Sequence, residues 1–204
     1  MKSYHFRTAT TLSTLLAIST AVYAVAIPNG ALPGFYLGGQ TGYSELYYTR
    51  SSFNASSGNI NNAGIGGRAY FGYQLNHYIG GEAGYTAYAM ADTNNMTVNS
   101  QTVSGTIRHQ AYDVVLKGTY PLVDSGFNLY GKAGVAYTRK TVSWILCATG
   151  GQCAANAALF TYGVGATYNL WPNVPIDFSW TRVEHNTDIS NSDLAAIGIA
   201  YYFG

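Results

Sequence analysis

The chain has 204 residues, a formal net charge of +1, 9% charged residues and 15% aromatic residues. An ordinary soluble domain carries roughly 25% charged residues, whereas a disordered chain has many charges and few aromatic side chains. The composition therefore excludes a disordered chain and indicates a surface that does not face water. Because Lys and Arg form no cluster, the sequence also shows no basic patch that would indicate nucleic-acid binding.

The chain begins with the pattern of an export signal. Lys2 and Arg7 supply positive charge, residues 8–22 form an apolar stretch, and residues 22–24 form a small-residue cleavage motif. A membrane anchor is the alternative, but Thr and Ser interrupt the stretch, which is shorter than the roughly 20 residues of a spanning helix. The sequence predicts a signal peptide at 1–24 and one exported domain at 25–204.

Eight segments of about ten residues follow, separated by turns that are alternately short and long. Within each segment one set of alternate residues is apolar, which is the period of a β-strand. The segments span residues 34–44, 64–74, 78–89, 108–120, 127–139, 160–169, 175–182 and 193–203.

The two faces of these segments differ in polarity. Side chains alternate across a strand, and one face, with residues such as Leu37, Phe71 and Val114, has no charge in the middle of any segment. The other face is rich in glycine and carries every mid-segment ionisable residue. These residues are Arg68, Glu82, Asp113, Lys117, Lys132 and Asp177.

A soluble β-sandwich would bury the apolar face, while a membrane barrel turns it to lipid and encloses the polar face. Three features favour the barrel. The segment lengths match a tilted bilayer span, aromatic residues gather at segment ends, and the polar face has too few charges for a water-exposed surface. The sequence predicts an all-β fold, an eight-stranded antiparallel up-and-down transmembrane β-barrel.

The connections agree with this fold, because outer-membrane barrels alternate short periplasmic turns with long outer loops. Three connections are short, at 75–77, 121–126 and 170–174. Four are long and polar, at 45–63, 90–107, 140–159 and 183–192. Both ends of the barrel domain are therefore expected at the periplasmic side. The last segment then pairs with the first, since open edges are not tolerated in a membrane.

Four stretches in order carry a family resemblance. They are GYQLNHYIGGEAGY (72–85), VVLKGTYPLVDSGFNLYGKAGVAY (114–137), YNLWPNVPIDFSWT (168–181) and IGIAYYFG (197–204). Together they resemble the eight-stranded transmembrane domain of the outer membrane protein A (OmpA) family, over almost all of the predicted exported domain. Members of that family usually continue into a periplasmic peptidoglycan-binding domain. This sequence stops at the last strand, so we expect no peptidoglycan binding.

The resemblance also implies roles for single residues. In the family, ion pairs in the lumen block or gate a pore, and Glu82, Lys117, Lys132 and Asp177 occupy matching positions. The acidic partner on the sixth strand is replaced by Thr167, and the arginine of the seventh falls near Pro175, so a gating switch is not carried over.

A terminal strand of this kind implies recognition by the barrel insertion machinery. The aromatic residues at the matching positions are Tyr201 and Phe203.

The predicted lumen set balances three positive and three negative charges. One interpretation is a self-neutralising plug, because buried charges need partners and an eight-stranded barrel encloses barely enough space for its own side chains. The other is a narrow ion-conducting or gated path. The plug is the favoured interpretation.

Arg108, Arg139 and Arg182 lie on the outward face beside the long loops. A charge there costs only roughly 0–1 kcal/mol, and the guanidinium group suits phosphate. We expect these residues to contact outer-leaflet lipopolysaccharide, with snorkelling of the side chains to water as the alternative.

Cys147 and Cys153 lie in the third long loop. A zinc site would need further Cys or His ligands, and none is near in sequence, so no metal site is predicted. In an exported protein the default is a local disulfide between them.

An enzyme is the least favoured interpretation. His185 with Ser190 or Ser192, oriented by Glu184 or Asp188, is the one Ser–His–acid grouping near the outer interface. In a known barrel deacylase the His and Ser lie only two residues apart, so the match is poor. We predict no enzymatic activity and no cofactor.

The sequence therefore predicts a monomeric outer-membrane protein of a Gram-negative bacterium that acts as a structural surface component. Its expected partners are outer-membrane lipid and lipopolysaccharide, the insertion machinery with periplasmic chaperones, and host surface molecules at the loops. The alternatives are a narrow porin-like channel, an adhesin acting through the loops and, least favoured, a lipid A-modifying enzyme.

Overall fold

The computed structural model describes residues 31–122, 125–143 and 153–203, so the predicted signal peptide lies outside the described residues. One turn of 3-10 helix spans Arg50–Phe53. The strands are β1 (Gly34–Leu46), β2 (Ser57–Asn61), β3 (Ala63–Gln74), β4 (Ile79–Ala87), β5 (Ala91–Val98), β6 (Gln101–Pro121), β7 (Phe127–Val142), β8 (Ala154–Trp171), β9 (Val174–Val183) and β10 (Ser192–Tyr202). Among these residues no helix is long and apolar enough to cross a membrane.

Eight of the strands close into an antiparallel barrel, which confirms the predicted fold class. The order is β1-β3-β4-β6-β7-β8-β9-β10, and β10 pairs with β1 from Tyr36 opposite Tyr202 to Leu46 opposite Ser192. A register path that leaves β1 at Ser44 returns to it at Gly34, ten residues away. In an eight-stranded barrel such a stagger corresponds to a strand tilt of about 40°.

The two faces of the barrel strands have the predicted orientation. On β6, Val114 and Leu116 point outward and are exposed, whereas Asp113 and Lys117 point inward and are buried. The same alternation runs along the other seven strands. The apolar face is thus the outer surface of a barrel, and the charged face is its interior.

Glycines on the inward face make room for large side chains of neighbouring strands. A Cβ atom added to Gly38 would lie 2.3 Å from the ring of Tyr70, and one added to Gly84 would lie 2.7 Å from the guanidinium of Arg68. Gly39, which points outward, has no heavy atom within 4 Å of such a Cβ. The glycine-rich polar face is therefore a set of fitted gaps in a narrow interior.

The half of the barrel that carries the long connections has more regular secondary structure than the sequence predicts. The first two long loops contain β2 and β5, and β5 pairs with an extension of β6 that begins at Gln101 rather than 108. The third loop is shortened, because β7 runs to Val142 and β8 begins at Ala154. Predicting loops throughout 45–63 and 90–107 was wrong.

Two apolar clusters lie at the ends of the lumen. The tyrosine cluster, at the end with the short turns, contains Tyr36, Tyr70, Ala200 and Tyr202. The outer core fills the end of the barrel that carries the long connections. It joins β5 and six of the barrel strands, all except β3 and β4, to the first and fourth loops and to Tyr88, which follows β4. Its buried members are Leu46, Tyr48, Phe53, Tyr88, Ala91, Met96, Ile107, Ala111, Ala136, Val142, Leu159, Val183, Ile189, Leu194 and Ala196.

Candidate functional site

The lumen is organised around the guanidinium of Arg68. It donates to both oxygens of Asp113, from Nη2 at 2.6 Å and from Nε at 3.3 Å, and its Nη1 lies 3.1 Å from Oε2 of Glu82. Arg68 reaches Asp113 across β4, because the register partner of Asp113 on that strand is Gly84. The fork geometry of arginine thereby joins carboxylates from two strands.

Glu82 is shared by three donors. Its Oε1 accepts from Lys117 Nζ at 3.0 Å and from the hydroxyl of Tyr36 at 3.1 Å, while Oε2 faces Arg68. The ammonium of Lys117 also lies 4.3 Å from the ring centroid of Tyr130. One carboxylate thus balances two buried cations, and an aromatic face adds a cation–π contact.

Asp177 and Lys132 do not join this network. Asp177 accepts from the hydroxyls of Tyr70 at 3.0 Å and Tyr130 at 2.6 Å, so its charge is held by neutral donors. Lys132 is buried, and within 31–122, 125–143 and 153–203 it has no salt bridge within 4.0 Å. Of the six predicted lumen charges, the structure thus brings Arg68, Glu82, Asp113 and Lys117 into direct contact and leaves Lys132 and Asp177 apart.

Several other buried polar atoms of the lumen have no partner among the described residues. Both amide atoms of Gln40 and the hydroxyls of Ser179 and Thr181 are buried and make no hydrogen bond with the described residues. A Cβ on Gly163, the register partner of Lys132, would lie 2.9 Å from the hydroxyl of Thr181. Buried polar groups of this kind are usually satisfied by internal water.

The three outward arginines have different surroundings. Arg182 donates to both oxygens of Asp193, each at 2.7 Å, and stacks against Trp180. Arg108 is exposed and has only a 3.7 Å contact with the sulfur of Met90. Arg139 lies at a diagonal position on β7, where its register partner is Gln110, and it forms no ion pair with the part of the chain that the structure describes. Among the described residues, Arg108 and Arg139 have no carboxylate partner, whereas Arg182 has one.

The Ser–His–acid grouping of the fourth loop is not assembled. His185 faces Asn191 Oδ1 at 3.1 Å, with Glu184 at 3.8 Å, and the hydroxyl of Ser190 donates to the backbone carbonyl of Tyr47. Ser192 instead contacts His109, with Oγ 2.6 Å from Nδ1.

Sequence reasoning missed His109 as a partner of Ser192, because 83 residues separate them. The alternation of β6 places His109 on the same inward face as Asp113 and Lys117, and this was the one indication in the sequence.

Two further predictions concern the ends of the chain and the third loop. Tyr201 and Phe203 are exposed on the outer surface, with ring centroids 5.0 Å apart, and the Phe203 amide donates to the carbonyl of Phe35. Cys147 lies outside the described residues, so its disulfide with Cys153 stays a prediction.

A family model described as the outer membrane protein β-barrel domain matches residues 10–203. The chain belongs to this family. It is 24% identical over 201 residues to outer membrane protein A of Shigella flexneri, an alignment that covers 94% of this chain and 56% of the relative. It is 25% identical over 211 residues to an uncharacterized protein of Coxiella burnetii, covering 83% of this chain and 85% of the relative. The chain thus spans about half the length of the outer membrane protein A relatives that it matches.

Solved structures show the same fold. Neisserial surface protein A superposes with a TM-score of 0.56 at 18% identity, covering 83% of this chain and 97% of that one. The N-terminal β-barrel domain of Pseudomonas aeruginosa OprF gives a TM-score of 0.53 at 13% identity, covering 84% and 98%. Family and fold together establish an OmpA-like, eight-stranded barrel that resides in the outer membrane.

Proposed function

We propose that this barrel is a structural and surface component of the outer membrane whose lumen is closed. The observation that carries the proposal is the contact of Glu82 with Arg68 and Lys117 at mid-lumen, between the tyrosine cluster and the outer core. Ions crossing this region would have to break charge-assisted hydrogen bonds in a low-dielectric interior, where each is stronger than in water. An ion would therefore have to pass the outer core, the ion pairs of Glu82 and the tyrosine cluster in turn.

A planar-bilayer recording tests the proposal. The purified protein is expected to give no steady conductance, while a Glu82→Ala/Asp113→Ala variant, which leaves two cations unpaired, is expected to show brief openings. Glu45→Ala, outside the lumen network, serves as the matched control. Steady single-channel openings of the unmodified protein would favour the narrow channel instead, and the unpartnered polar atoms around Gln40 would be its natural path.

A second role involves the outer leaflet. We propose that Arg108 and Arg139 bind lipopolysaccharide phosphates, since both side chains are exposed and occupy diagonal positions on the outward faces of β6 and β7. Arg182 is expected to contribute less to phosphate binding, because its guanidinium already binds both carboxylate oxygens of Asp193. In vesicles, added lipopolysaccharide should raise the melting temperature of the barrel. An Arg108→Ala/Arg139→Ala variant should lose most of this increment and Arg182→Ala should keep it, so equal losses would contradict the assignment.

The two ends of the barrel offer surfaces for the other expected partners, the insertion machinery and host surface molecules. We propose that Tyr201 and Phe203 form the signal read by the insertion machinery, that the protein is monomeric, and that its outer loops are available to host surface molecules. Replacing both aromatic residues with Ala should slow machinery-assisted assembly while leaving spontaneous folding into detergent micelles intact. Equal slowing of both reactions would mean that the two rings act only in packing.

A further inference from the structure

His109 lies in the outer core on the extracellular side of the membrane-spanning surface. On the outward face of β6, the apolar surface ends at Tyr112, and the polar residues Arg108 and Gln110 flank His109. The imidazole is fully buried, with ring centroids 5.6 Å from Tyr88 and 6.3 Å from Tyr48. A titratable side chain thus lies where the first and fourth loops are packed onto the barrel.

The surroundings of His109 accommodate a neutral imidazole. Its Nδ1 shares a hydrogen bond with the hydroxyl of Ser192, at 2.6 Å, whereas its Nε2 is buried without a partner among the described residues. A protonated ring carries two N–H donors, so protonation would fix a second donor at Nε2, where no acceptor is available. An unmet donor on a charged group is costly in an apolar core.

Among the described residues, no charged neighbour compensates an imidazolium at this position. Lys140, its register partner on β7, carries the same sign, and its ammonium donates to the backbone carbonyl of Asp188. Among the nearby carboxylates, Asp113 on β6 is bound by Arg68, and Asp193 on β10 is bound by Arg182 and Tyr47.

The remaining titratable groups around His109 are the phenols of Tyr48 and Tyr88. No carboxylate within the described residues reaches His109 within 4.0 Å.

We propose that His109 is an acid sensor of the extracellular mouth. When its imidazole takes up a proton, the outer core opens, and the segments 47–56 and 184–191 that carry Tyr48, Phe53 and Ile189 leave the top of the barrel. The pairing of the barrel strands and the lumen ion pairs stay in place, because the residues that form them lie outside segments 47–56 and 184–191.

The direction of the pH dependence follows from how many protons the closed and the open outer core bind. Burial, and then the charge of Lys140, lowers the pKa of His109 from 6.5 to about 4. The closed core therefore binds fewer protons than the open one, so the stability from the neutral ring is fully present above pH 6.5 and is lost as the pH falls toward 4. The opening equilibrium should shift by on the order of 100-fold across this interval.

The test follows the outer core by ¹⁹F NMR in micelles. Phe53→Trp, expressed with 5-fluorotryptophan, adds one resonance that is absent from the parent protein and reports the environment of the 3-10 turn. Between pH 8 and pH 4 this resonance should move from a buried to a solvent-exposed position. In a His109→Gln background the transition should disappear, while in a His185→Gln background, which alters an exposed histidine of the fourth loop, it should persist.

A second measurement leaves the outer core unaltered. The chain has four histidines, so a His5→Gln/His77→Gln/His185→Gln variant retains only the imidazole of His109, whose ¹³C resonance can be titrated directly. A midpoint well below 6.5 that coincides with the ¹⁹F transition supports the proposal. A midpoint near 6.5, or a transition that survives His109→Gln, overturns it.

Discussion

At the scale of single residues, the lumen depends most directly on Glu82. Its carboxylate accepts from Tyr36 and balances both Arg68 and Lys117. A buried ion pair adds little when compared with an apolar replacement of both partners, but removing one partner leaves an uncompensated charge. Without the charge of Glu82, Lys117 has no carboxylate partner among the described residues, while Arg68 keeps Asp113.

We therefore expect Glu82→Gln to lower the free energy of unfolding by about 3–5 kcal/mol. The measurement is urea-induced unfolding of the barrel in lipid vesicles. Glu45→Gln is the matched control, because Glu45 lies beyond the lumen network and makes no salt bridge with the described residues. A loss below 1 kcal/mol for Glu82→Gln would show that water reaches the ammonium of Lys117.

Asp177 gives a second prediction of this scale, because it is held by tyrosine hydroxyls rather than by a cation. Tyr130→Phe removes the shorter of the two hydrogen bonds, at 2.6 Å, while preserving the ring. A hydrogen bond to a charged group contributes roughly 1.5–3 kcal/mol, and the same unfolding assay should show a loss of that size. Tyr120→Phe alters an exposed, outward tyrosine and should change stability little; equal effects would argue against the Asp177 contact.

At the scale of elements, the strands are fitted together by glycine. Tyr70 of β3 lies over Gly38 of β1, and the hydroxyl of Tyr70 then reaches Asp177 of β9. Gly38→Val should block this path, because the added Cβ alone lies 2.3 Å from the ring. Gly39→Val, one residue further, points to lipid into open space.

We expect the Gly38→Val variant to fold poorly into micelles and the Gly39→Val variant to fold at least as well as the parent. Heat-modifiable mobility on a gel, which separates folded barrel from unfolded chain, measures both. Equal folding of the two variants would show that Tyr70 can move without cost.

The sequence predicts strand faces well, because alternation is a local property that any β-strand must display. It does not predict which inward side chains meet. Arg68 finds Asp113 two strands away only because Gly84 leaves a gap between them, and such a gap depends on barrel stagger rather than on spacing in the chain. For the same reason four of the six predicted lumen charges meet directly, whereas Lys132 and Asp177 stand apart.

The extra strands β2 and β5 were missed for another physical reason. Their sequences, SGNIN and ADTNNMTV, are polar and contain residues that favour turns. They become strands because β6 continues beyond the membrane and offers its edge to β5, with Met96 buried in the outer core. Tertiary pairing here overrides local propensity.

At the scale of the whole molecule, the outward surface defines the membrane that the barrel fits. On β7, Phe127 and Tyr137 mark the two ends of the apolar face, and each is paired with an aromatic neighbour, Tyr168 and Tyr112. Ten residues at about 3.3 Å each, tilted by about 40°, place these aromatic ends roughly 25 Å apart. This is the height of the apolar band of outer-membrane barrels and is thinner than an average bilayer core of about 30 Å.

The barrel should therefore fold faster, and with a larger free energy of unfolding, in vesicles of 12- to 14-carbon lipids than in vesicles of 18-carbon lipids. Mismatch costs fractions of a kcal/mol per Å, so we expect a difference of about 1–3 kcal/mol from a mismatch of roughly 5 Å. A Gln110→Leu/Arg139→Leu variant, at register partners just above the band, extends the apolar surface outward on one side and should narrow this preference. Stability that is the same in both lipids would place the membrane boundary beyond these aromatic residues, and the variant would then have no effect on the lipid dependence.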